Sequence, residues 1–307
     1  MRILLTGSSG WLGRALAPRL ASLGHQVIGL DPAPSPYATI TGSVADAATI
    51  RAAFRDHAIE AVIHAGALHK PDIARRPASD FVAVNVQGTL NLLEEAVRHG
   101  VTRFVFTFTT SLMISRDIRD ATGDSAAWLT EESVPQPRNI YGVTKLAAEH
   151  LCRMHHEAHG LPVIVRRTAR FFPEPDDMAH AIRQSDANTK ANEFLFRRLT
   201  LEDAADSHIA ALDKAPALGF DSFIISAPPP FTPADCPALM RDAPAIVARH
   251  FPDYPALYAR LGWTMFDRID RVYDPTRAAR RLGFACRTGF RQVVDSLAAG
   301  TWRWEAA

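Results

Sequence analysis

The stretch NIYGVTK at residues 139–145 places a tyrosine and a lysine four positions apart. If this stretch is helical, Tyr141 and Lys145 lie on one face of the helix. A free tyrosine has a pKa of about 10 and is a poor base at neutral pH, but a nearby ammonium group stabilises its phenolate. The pair could therefore act as a general base that takes the proton of a substrate hydroxyl. Such pairs also occur by chance on protein surfaces, so other segments must decide between the two interpretations.

Three glycines near the N-terminus have the spacing of a phosphate-binding loop. The apolar stretch MRILL is followed by TGSSGWLG, in which Gly7, Gly10 and Gly13 are three residues apart, and then by a helical pattern. Gly7 permits a tight turn out of a strand, Gly10 lets the backbone approach a pyrophosphate, and Gly13 lets the helix pack closely on the strand. The helix N-terminus adds N–H donors and a partial positive charge. The stretch therefore predicts a dinucleotide site.

The second predicted strand, residues 26–30, leads into Asp31, which lies 18 residues beyond Gly13. An acid at this place accepts hydrogen bonds from the adenosine ribose. Its carboxylate would repel the 2′-phosphate of NADP, and no arginine follows it directly. The sequence therefore predicts NAD as the cofactor. The alternative for the whole segment is a glycine-rich turn with a structural role only.

Short apolar runs alternate with amphipathic helical patterns through the first half of the chain. Runs that are apolar throughout are typical of strands buried on both faces, and their alternation with helices predicts a parallel sheet. The expected fold is α/β, a Rossmann-type doubly wound parallel sheet over residues 1–168 that includes the Tyr–Lys helix. The predicted strands are 3–5, 27–30, 61–64, 104–108 and 163–165, and the predicted helices are 11–23, 47–57, 77–99 and 142–159.

After about residue 170 the alternation ends, and proline and alanine become frequent, as in SAPPPFTPADCPALMRDAPA. Residues 169–307 are therefore expected to form mostly a smaller, irregular substrate-binding domain. Some of its segments, such as 223–225, could return to the sheet of the first domain. A chain of 307 residues is long enough for this division.

Composition and charge exclude several classes of protein. The net charge is +1, without a cluster of lysine and arginine, which argues against a nucleic-acid partner. No apolar stretch approaches the roughly 20 residues of a membrane span, and no signal peptide is recognisable. The three cysteines are scattered, as in a reducing compartment, and no Cys or His spacing indicates a metal site. The sequence thus predicts a cytoplasmic protein with a small-molecule substrate and no metal.

With these motifs in place, the sequence resembles the extended short-chain dehydrogenases/reductases of the NAD-dependent epimerase/dehydratase family. The similarity runs through most of the chain. Besides the glycine loop and the Tyr–Lys pair, it includes HAGA at 64–67, NVQGTLNLLEEA at 85–96, RFVFTFTTS at 103–111, LTLEDAADSHIAAL at 199–212 and VYDPTRAARRLGF at 272–284.

The resemblance implies roles for the matching residues. Tyr141 is the catalytic base or acid, Lys145 lowers its pKa and holds the nicotinamide ribose, and Thr109 is the third catalytic residue. Thr109 and Thr110 would also contact the substrate, although a threonine at a strand end can serve only to satisfy backbone groups. Asn85 would support the centre of the site, or else cap or bridge structure. The implied cofactor contacts are Gly7, Ser9, Gly10, Trp11, Leu12, Gly13, Asp31, Ser43, Val44, Ala65, Gly66, Ala67, Asn85, Thr107, Tyr141 and Lys145.

The sequence departs from the family at three places. Ser43 stands where the family often has the aspartate that meets the adenine, so its hydroxyl and the neighbouring backbone would make this contact. Arg170 occupies the position of an asparagine found in many nucleotide-sugar enzymes. Its guanidinium could clamp a phosphate or carboxylate of the substrate, or pair with Asp176 or Asp177. The segment 112–138 is longer than usual and could form a substrate lid or a surface excursion.

The family resemblance favours an epimerase or dehydratase that acts on a sugar or nucleotide-sugar hydroxyl, with Tyr141 taking the proton as hydride passes to NAD+. A dehydrogenase of a sugar, sugar acid or other small alcohol is the main alternative. An NAD-binding regulator without catalysis is a third, although such proteins typically lose the Tyr or the Lys. Helices 77–99 and 142–159 correspond to the family's usual interface and predict a homodimer, but their apolar residues could instead belong to the internal core.

Overall fold

The computed structural model of the chain describes residues 1–172 and 184–302. The chain divides into two compact units. The expected domain boundary after residue 168 is one of the points at which the chain passes between them. However, residues 114–134, which were expected in the first domain, belong to the second unit. Unit 1 consists of Met1–Met113, Pro135–Thr168 and Ala204–Phe223, and unit 2 consists of Ile114–Val134, Ala169–Asp203 and Ile224–Ala307.

Nine strands form two sheets in the described residues. Seven of them build one sheet, and its neighbouring pairs from β3 to β7 are parallel. The central strands are buried on both faces, which explains their continuous apolar sequences. In chain order the strands are β1 (Arg2–Thr6), β2 (Gln26–Asp31), β3 (Ile40–Thr41), β4 (Ala61–His64), β5 (Arg103–Thr109), β6 (Ala127–Leu129), β7 (Val163–Thr168), β8 (Phe220–Ile225) and β9 (Arg271–Tyr273).

The strand order of the large sheet is β3-β2-β1-β4-β5-β7-β8, so the direction of addition reverses at β1. The chain first adds β2 and β3 on one side of β1, and then the other strands on the opposite side. The carboxyl ends of β1 and β4 are adjacent, with Thr6 paired with His64. Ligands of doubly wound sheets bind in the crevice at such a switch point. The expected Rossmann-type fold is therefore confirmed, and residues 223–225 do return to the sheet, as part of β8.

The helices of unit 1 begin where the sequence supplies caps. Asp46 accepts a hydrogen bond from Ala48 N at the start of α2, and Asn139 accepts one from Gly142 N at the start of α6. The long predicted helix 77–99 is interrupted by a π-helical segment, Val82–Gln87. The α-helices of the described chain are α1 (Trp11–Ser22), α2 (Ala47–His57), α3 (Ala78–Phe81), α4 (Gly88–Arg98), α5 (Arg116–Asp120), α6 (Ile140–His159), α7 (Asp186–Glu193), α8 (Leu201–Leu218), α9 (Cys236–Arg241), α10 (Ala243–His250), α11 (Tyr254–Leu261) and α12 (Phe290–Ala298). Among the residues described, no helix combines the length and the apolar character that a membrane span requires.

Unit 2 has its own small sheet and apolar core. Strands β6 and β9 pair in parallel, with Trp128 opposite Val272, and Trp128 Nε1 donates a hydrogen bond to Asp274 Oδ2 at 3.1 Å. The apolar core of unit 2 is formed by residues near β6 and β9 and by residues of the helices packed around them. Its largest members are Phe194, Phe196, Phe231, Phe251, Tyr254, Tyr258 and Phe290.

Part of the long segment 112–138 belongs to this core. Ala126 is 6% exposed and Leu129 is 5% exposed. Ala126 N donates to Cys236 O at 3.0 Å, and Ala127 N donates to Asp270 O at 2.9 Å. For residues 126–129 the interpretation as a surface excursion is therefore wrong, because their backbone and side chains are integrated into unit 2. A role for the rest of the segment as a lid stays a prediction.

Candidate active site

Two loops meet at the carboxyl ends of β1 and β4. Gly7 has a φ of +73°, and its N–H donates to Leu30 O at 2.9 Å. A Cβ atom on Gly7 would lie 2.8 Å from both Ala65 C and Gly66 N, so only glycine fits between the loops. Ala65, Gly66 and Ala67 are half-buried in the loop after β4. The predicted turn at Gly7 thus also sets the distance between the two loops.

The other two glycines of the motif shape the start of α1. A Cβ on Gly13 would lie 2.2 Å from Gly7 O and 2.6 Å from Ser8 Cα, which forces the helix against the loop. Gly10 is the N-cap residue of α1 and has no side chain to cap it. A Cβ there would lie 3.3 Å from Gly7 O, a tight but less severe contact. The first-turn N–H groups of α1 are therefore presented as a cradle for an anion.

The carboxylate of Asp31 is held by the backbone around it. Asp31 is 8% exposed. Its Oδ2 accepts a hydrogen bond from Ser9 N at 3.1 Å, and its Oδ1 accepts one from Ala33 N at 2.8 Å. Ser9 Oγ in turn donates to Ala33 O at 2.6 Å and lies 2.8 Å from Ser35 Oγ. Each carboxylate oxygen keeps further acceptor capacity, so the group could still accept hydrogen bonds from a ribose, and this contact stays a prediction.

Asp31→Asn is expected to change the choice of cofactor. Loss of charged hydrogen bonds to the ribose, worth roughly 1.5–3 kcal/mol, should raise the Kd for NAD+ by about 10- to 100-fold. The Kd for NADP+ should fall, because the repulsion of its 2′-phosphate is removed. Isothermal titration with each cofactor measures the two Kd values and hence their ratio. Asp56→Asn, at an exposed aspartate near the end of α2, is the control. An unchanged ratio in Asp31→Asn would contradict the assignment.

Tyr141 and Thr109 are brought together although they lie on different elements. Tyr141 is in the first turn of α6 and is 7% exposed, and Thr109 ends β5. Burial raises the pKa of Tyr141 to about 12, and a hydrogen bond with the Thr109 side chain acts in the opposite direction. Thr109 Oγ1 also accepts from Ser111 N at 3.1 Å. The expected lowering of the Tyr141 pKa by Lys145 is not seen here, since burial raises this pKa and only the Thr109 hydrogen bond opposes it. The phenol therefore needs a further positive charge to act as a base.

Lys145 is buried on the same face of α6. It is 4% exposed, its Nζ donates to Thr107 O at 2.7 Å, and the same atom lies 4.1 Å from the centroid of the Phe106 ring. Burial lowers the pKa of Lys145 to about 7, although the charges of Cys152 and Glu149 act to raise it. The protonation of this amine therefore changes close to neutral pH.

Lys145→Met is expected to be more stable than the native protein at pH 6, even though it removes a predicted catalytic group. The pKa of Lys145 is lower in the folded protein than its ordinary value of 10.5. Burial of the ammonium therefore destabilises the fold fully below about pH 7, and this effect fades as the pH rises towards 10.5. The gain in Tm should be largest near pH 6 and disappear near pH 10. Lys214→Met, at an exposed lysine of α8, should show no such pH dependence. A lower Tm for Lys145→Met at pH 6 would contradict the prediction.

Asn85 joins the loop after β4 to the helix of Tyr141. It lies in the π-helical segment and is 1% exposed. Its Oδ1 accepts from Leu68 N at 2.8 Å, and its Nδ2 donates to Leu68 O at 3.1 Å and to Thr144 Oγ1 at 3.2 Å. Asn85 therefore bridges structure around the site, which was one of the two roles expected for it. A π-helical turn commonly occurs where a side chain has a functional position.

A buried chain of hydrogen bonds connects Asn85 to the phosphate loop. Thr6 Oγ1 accepts from Gly66 N at 3.0 Å and lies 2.7 Å from His64 Nδ1. His64 Nε2 lies 3.0 Å from Thr89 Oγ1, which donates to Asn85 O at 2.7 Å. Burial and the charge of the nearby lysine lower the pKa of His64 well below its usual value, so its ring is neutral. His64, the first residue of the HAGA stretch, thus links the phosphate loop to Asn85 through uncharged side chains.

Several predicted cofactor residues are held by the protein itself. Ser43 Oγ accepts from the N–H two residues further on at 3.2 Å, and the carbonyl of Val44 accepts from Asn91 Nδ2 at 3.0 Å. Val44 is 5% exposed and Leu12 is 6% exposed, so a contact from either side chain would need the surface to open. Trp11, by contrast, is 42% exposed. Cofactor contacts at these positions stay predictions. At Val44 and Leu12 a contact would come from backbone atoms more readily than from the buried apolar side chains.

Two threonines on and after β5 have partners that limit their predicted roles. Thr107 Oγ1 lies 2.8 Å from His208 Nε2, so its carbonyl, bonded to the lysine described above, is its contribution to the site. Thr110 is 5% exposed, and its N–H donates to Thr168 O at 3.3 Å. A substrate contact from Thr110 stays a prediction.

Arg170 belongs to unit 2, where it joins a cluster around one buried carboxylate. Its Nε lies 3.6 Å from Oε1 of Glu193, which is 1% exposed. Arg197 and Arg198 each reach Glu193 at 2.9 Å. Although burial raises the pKa of Glu193, these three guanidinium groups and that of Arg271 together lower it below its ordinary value. Arg170 therefore takes part in ion pairing, but the partner found is one that the sequence did not suggest.

His69 is a residue of the site that the sequence analysis did not single out. Its ring centroid lies 5.9 Å from that of Tyr141. It follows HAGA by two positions, in the loop after β4, and is half-buried. In the sequence, a histidine five residues after the end of the predicted strand 61–64 was a signal that could have pointed to this residue. Its proximity to Tyr141 could not be read from the sequence, because it depends on how the loop after β4 folds towards α6.

Comparison with known proteins places these observations in a family. Residues 3–214 match the model of the NAD dependent epimerase/dehydratase family. GDP-6-deoxy-D-mannose reductase of Pseudomonas aeruginosa is 34% identical over 168 residues, which are 54% of this chain and 51% of that protein. L-arabinose 1-dehydrogenase (NAD(P)(+)) of Haloferax volcanii is 32% identical over 176 residues, or 53% and 64% of the two chains. The chain thus spans about half the length of the curated relatives it matches.

Solved structures share the fold over nearly the whole chain. UDP-N-acetylglucosamine 4-epimerase from Bacillus cereus superposes with a TM-score of 0.66 at 21% identity and covers 97% of this chain and 98% of its own. A short-chain dehydrogenase/reductase superfamily protein from Agrobacterium tumefaciens with bound NAD gives a TM-score of 0.66 at 23% identity, covering 97% and 96%. At such identity the likeness shows the common fold.

Proposed function

This chain belongs to the NAD-dependent epimerase/dehydratase family, and we propose that it is an enzyme that moves a hydride between NAD and the hydroxyl-bearing carbon of a sugar or nucleotide sugar. The observation that carries this proposal is one arrangement inside unit 1. The loop of Gly7 contacts the loop after β4, and Asn85 ties that second loop to the helix of Tyr141 and Lys145. A nucleotide cradle and an acid–base pair are therefore built into one continuous structure.

The residues of the glycine loop fit NAD. Backbone atoms fill the space that a side chain at Gly13 would need, and the start of α1 presents N–H groups to a pyrophosphate. Asp31 is oriented for the adenosine ribose and disfavours a 2′-phosphate. When bound, NAD+ supplies the hydride acceptor and a positive charge near the phenol.

Tyr141 is the group that removes the proton from the substrate hydroxyl. Its burial keeps water from the phenol, and its hydrogen bond with Thr109 orients it. We also assign Thr109 Oγ1 a contact with the substrate oxygen. Lys145, held by the carbonyl of Thr107, adds a positive charge on the same helical face when it is protonated. These groups supply general acid–base catalysis and orientation, the usual requirements of hydride transfer from an alcohol.

Three outcomes of this chemistry are open to such a site. We favour an epimerase or dehydratase, whose overall reaction would leave the cofactor in its original oxidation state. A dehydrogenase of a sugar, a sugar acid or another small alcohol is the second candidate, and relatives named L-arabinose 1-dehydrogenase and uronate dehydrogenase support it. A non-catalytic regulator is disfavoured, because Tyr141, Thr109 and Lys145 are all present and placed together.

Arg170 is our candidate for recognising an anionic group of the substrate. The cluster that it joins around Glu193 lies in a unit that also has a cavity of about 310 Å³. Lys190 and Arg198 are among the residues that line this cavity. A phosphate or carboxylate would suit these cations. The alternative partners named from the sequence, Asp176 and Asp177, lie outside the described residues.

The amount of NAD(H) in the freshly purified protein tests the proposal first. Near-stoichiometric NAD released on denaturation would support an epimerase or dehydratase, which keeps its cofactor through turnover. Empty protein that binds added NAD+ reversibly would support a dehydrogenase. Each form is then assayed with UDP-glucose, L-arabinose and a hexuronate, for isomer exchange in the first case and for NADH in the second. Absence of NAD binding in both forms would overturn the proposal.

A homodimer is our proposal for the assembly. In the helices that the resemblance assigns to the interface, Val82, Val143 and Met154 are 48%, 49% and 44% exposed. Val143 and Met154 are eleven residues apart on α6 and so share one face. Light scattering after gel filtration should give the mass of a dimer, and Val143→Asp should shift it towards the monomer. Leu261→Asp, at an exposed leucine of unit 2, should leave the mass unchanged, and a monomeric native protein would contradict the proposal.

A cytoplasmic location is proposed on the state of the cysteines. Cys152, Cys236 and Cys286 are buried, and none of the three forms a disulfide. Free thiols persist in reducing compartments, which is where NAD-dependent metabolism of soluble sugars takes place.

A further inference from the structure

His69 stands beside the phenol of Tyr141 and has no role in the chemistry described above. The two rings are 5.9 Å apart between centroids, with their planes inclined by 49°. Tyr141 is 7% exposed, whereas His69 is only half-buried and borders on solvent. The substrate hydroxyl must come within hydrogen-bond distance of the Tyr141 oxygen to lose its proton. A sugar ring extends several ångströms beyond its reacting carbon, which is comparable with the separation of the two ring centres.

The backbone at His69 is held from both sides. The preceding residue, Leu68, has its N–H and its carbonyl bonded to the side chain of Asn85 at 2.8 and 3.1 Å. The N–H of His69 itself donates to Asp72 Oδ2 at 2.7 Å, at the start of the short 3₁₀ helix Lys70–Ala74. Since Asn85 also bonds to the helix of Tyr141, the positions of the two rings are coupled. Such support is typical of a group that must meet a ligand at a defined place.

The imidazole of His69 is uncharged at neutral pH. Burial and the neighbouring Lys145 lower the pKa of His69 to about 4, against the opposite effect of Asp72. A neutral imidazole has one N–H donor and one acceptor nitrogen. That combination suits a hydroxyl group, which both donates and accepts. It suits a phosphate or carboxylate less well than a guanidinium does.

We propose that His69 is a substrate-binding residue that hydrogen-bonds a hydroxyl on a carbon next to the one that exchanges hydride. The inference rests on the proposed function and narrows it: the substrate carries vicinal hydroxyl groups, as a sugar does, and is not an isolated alcohol. His69 then orients the reacting carbon through its neighbour, while Tyr141 handles the proton of the reacting hydroxyl.

The test compares kcat/KM for the substrate found in the screen and for its monodeoxy analogues. The proteins are the native enzyme, His69→Phe, which keeps an aromatic ring, and His69→Gln, which keeps a donor and an acceptor. His57→Phe, at the last residue of α2, is the matched control. The native enzyme should prefer the substrate over one vicinal deoxy analogue by about 100-fold or more. His69→Phe should lose most of this preference, His69→Gln should keep part of it, and the Kd for NAD+ should stay the same in all four proteins.

Each other result has a distinct meaning. If His69→Phe lowers kcat/KM equally for the substrate and for the deoxy analogue, the ring at position 69 serves packing only and the inference is overturned. Native kcat/KM values that do not distinguish the vicinal deoxy analogues would also overturn it, with the proposed function intact. If native protein with bound NAD turns over no member of the screen, the proposed function fails and the inference fails with it. Should His69→Phe not fold, His69→Ala takes its place in the comparison, and His69→Gln decides whether hydrogen bonding is needed.

Discussion

Tyr141→Phe is expected to lower kcat by about 10²–10⁴-fold, the usual contribution of a positioned acid–base group. The substitution removes one oxygen atom and keeps the ring that fills the first turn of α6. Because the ring is 7% exposed and packed against His69, the fold should tolerate the change. The Kd for NAD+ should change little, since the phosphate loop and Asp31 lie on other elements. Turnover is measured on the substrate identified by the screen, and the Kd is measured by titration.

The control for this variant removes a hydroxyl elsewhere. The Tyr254 hydroxyl donates to Pro244 O at 3.1 Å in unit 2. Tyr254→Phe should cost roughly 1 kcal/mol of stability and leave kcat unchanged. If Tyr141→Phe keeps native turnover, Tyr141 is not the acid–base group. If both native protein and variant bind NAD+ without turning over any substrate, the regulator becomes the better interpretation.

The pH dependence of the native enzyme follows from the same site. The pKa of Tyr141 is raised to about 12 by burial, while that of Lys145 is lowered to about 7. If Tyr141 is the base that we propose, the positive charge of a bound NAD+ would supply most of the stabilisation of its phenolate. Protonated Lys145 assists only below about pH 7, unless the bound cofactor raises its pKa. The sequence led us to expect that Lys145 lowers the pKa of Tyr141, whereas in the structure the amine itself is largely neutral above about pH 7.

Gly13→Ala is the second change with a large expected effect. The new Cβ would lie 2.2 Å from Gly7 O and 2.6 Å from Ser8 Cα, and both are backbone atoms of the loop. Relief requires α1 to move away from β1, because neither atom belongs to a flexible side chain. Overpacking of this kind costs about 1–3 kcal/mol or more. We expect a clear drop in Tm together with loss of NAD+ binding.

Two other glycines separate the loss of binding from the loss of stability. Gly10→Ala places its Cβ 3.3 Å from Gly7 O, so the Tm should fall only slightly while the Kd for NAD+ rises, because the methyl group faces the predicted pyrophosphate. Gly123→Ala places its Cβ 3.7 Å from the nearest atom, Ser125 O, and should change neither quantity. Differential scanning fluorimetry and cofactor titration measure both. A native Tm for Gly13→Ala would contradict the close packing of α1 on the loop.

Much of unit 1 could be predicted from local sequence. The strands read as apolar runs because the parallel sheet buries them on both faces, and the helices read as amphipathic patterns between them. Gly7 and Gly13 carry direct steric information, since a Cβ atom at either position would collide with backbone atoms of the same loop or of the loop after β4. Gly10 has no such collision and was predicted from the approach of a pyrophosphate. Tyr141 and Lys145 share a face because four residues make about one helical turn. Each of these signals comes from residues close together in the sequence, and the strand and helix patterns follow the known periodicities of those elements.

Tertiary structure decided what depends on residues far apart in the chain. The pKa values of Tyr141 and Lys145 follow from burial, which the type and spacing of residues do not reveal. The position of His69 depends on Asn85, which hydrogen-bonds to the loop after β4. Asn85 lies in a π-helical turn that no sequence pattern predicted. Glu193 became the partner of Arg170 through the folding of unit 2. Periodicity and spacing report the geometry of a single element, whereas burial and charge at a site are sums over every element packed around it, and only the folded chain contains that sum.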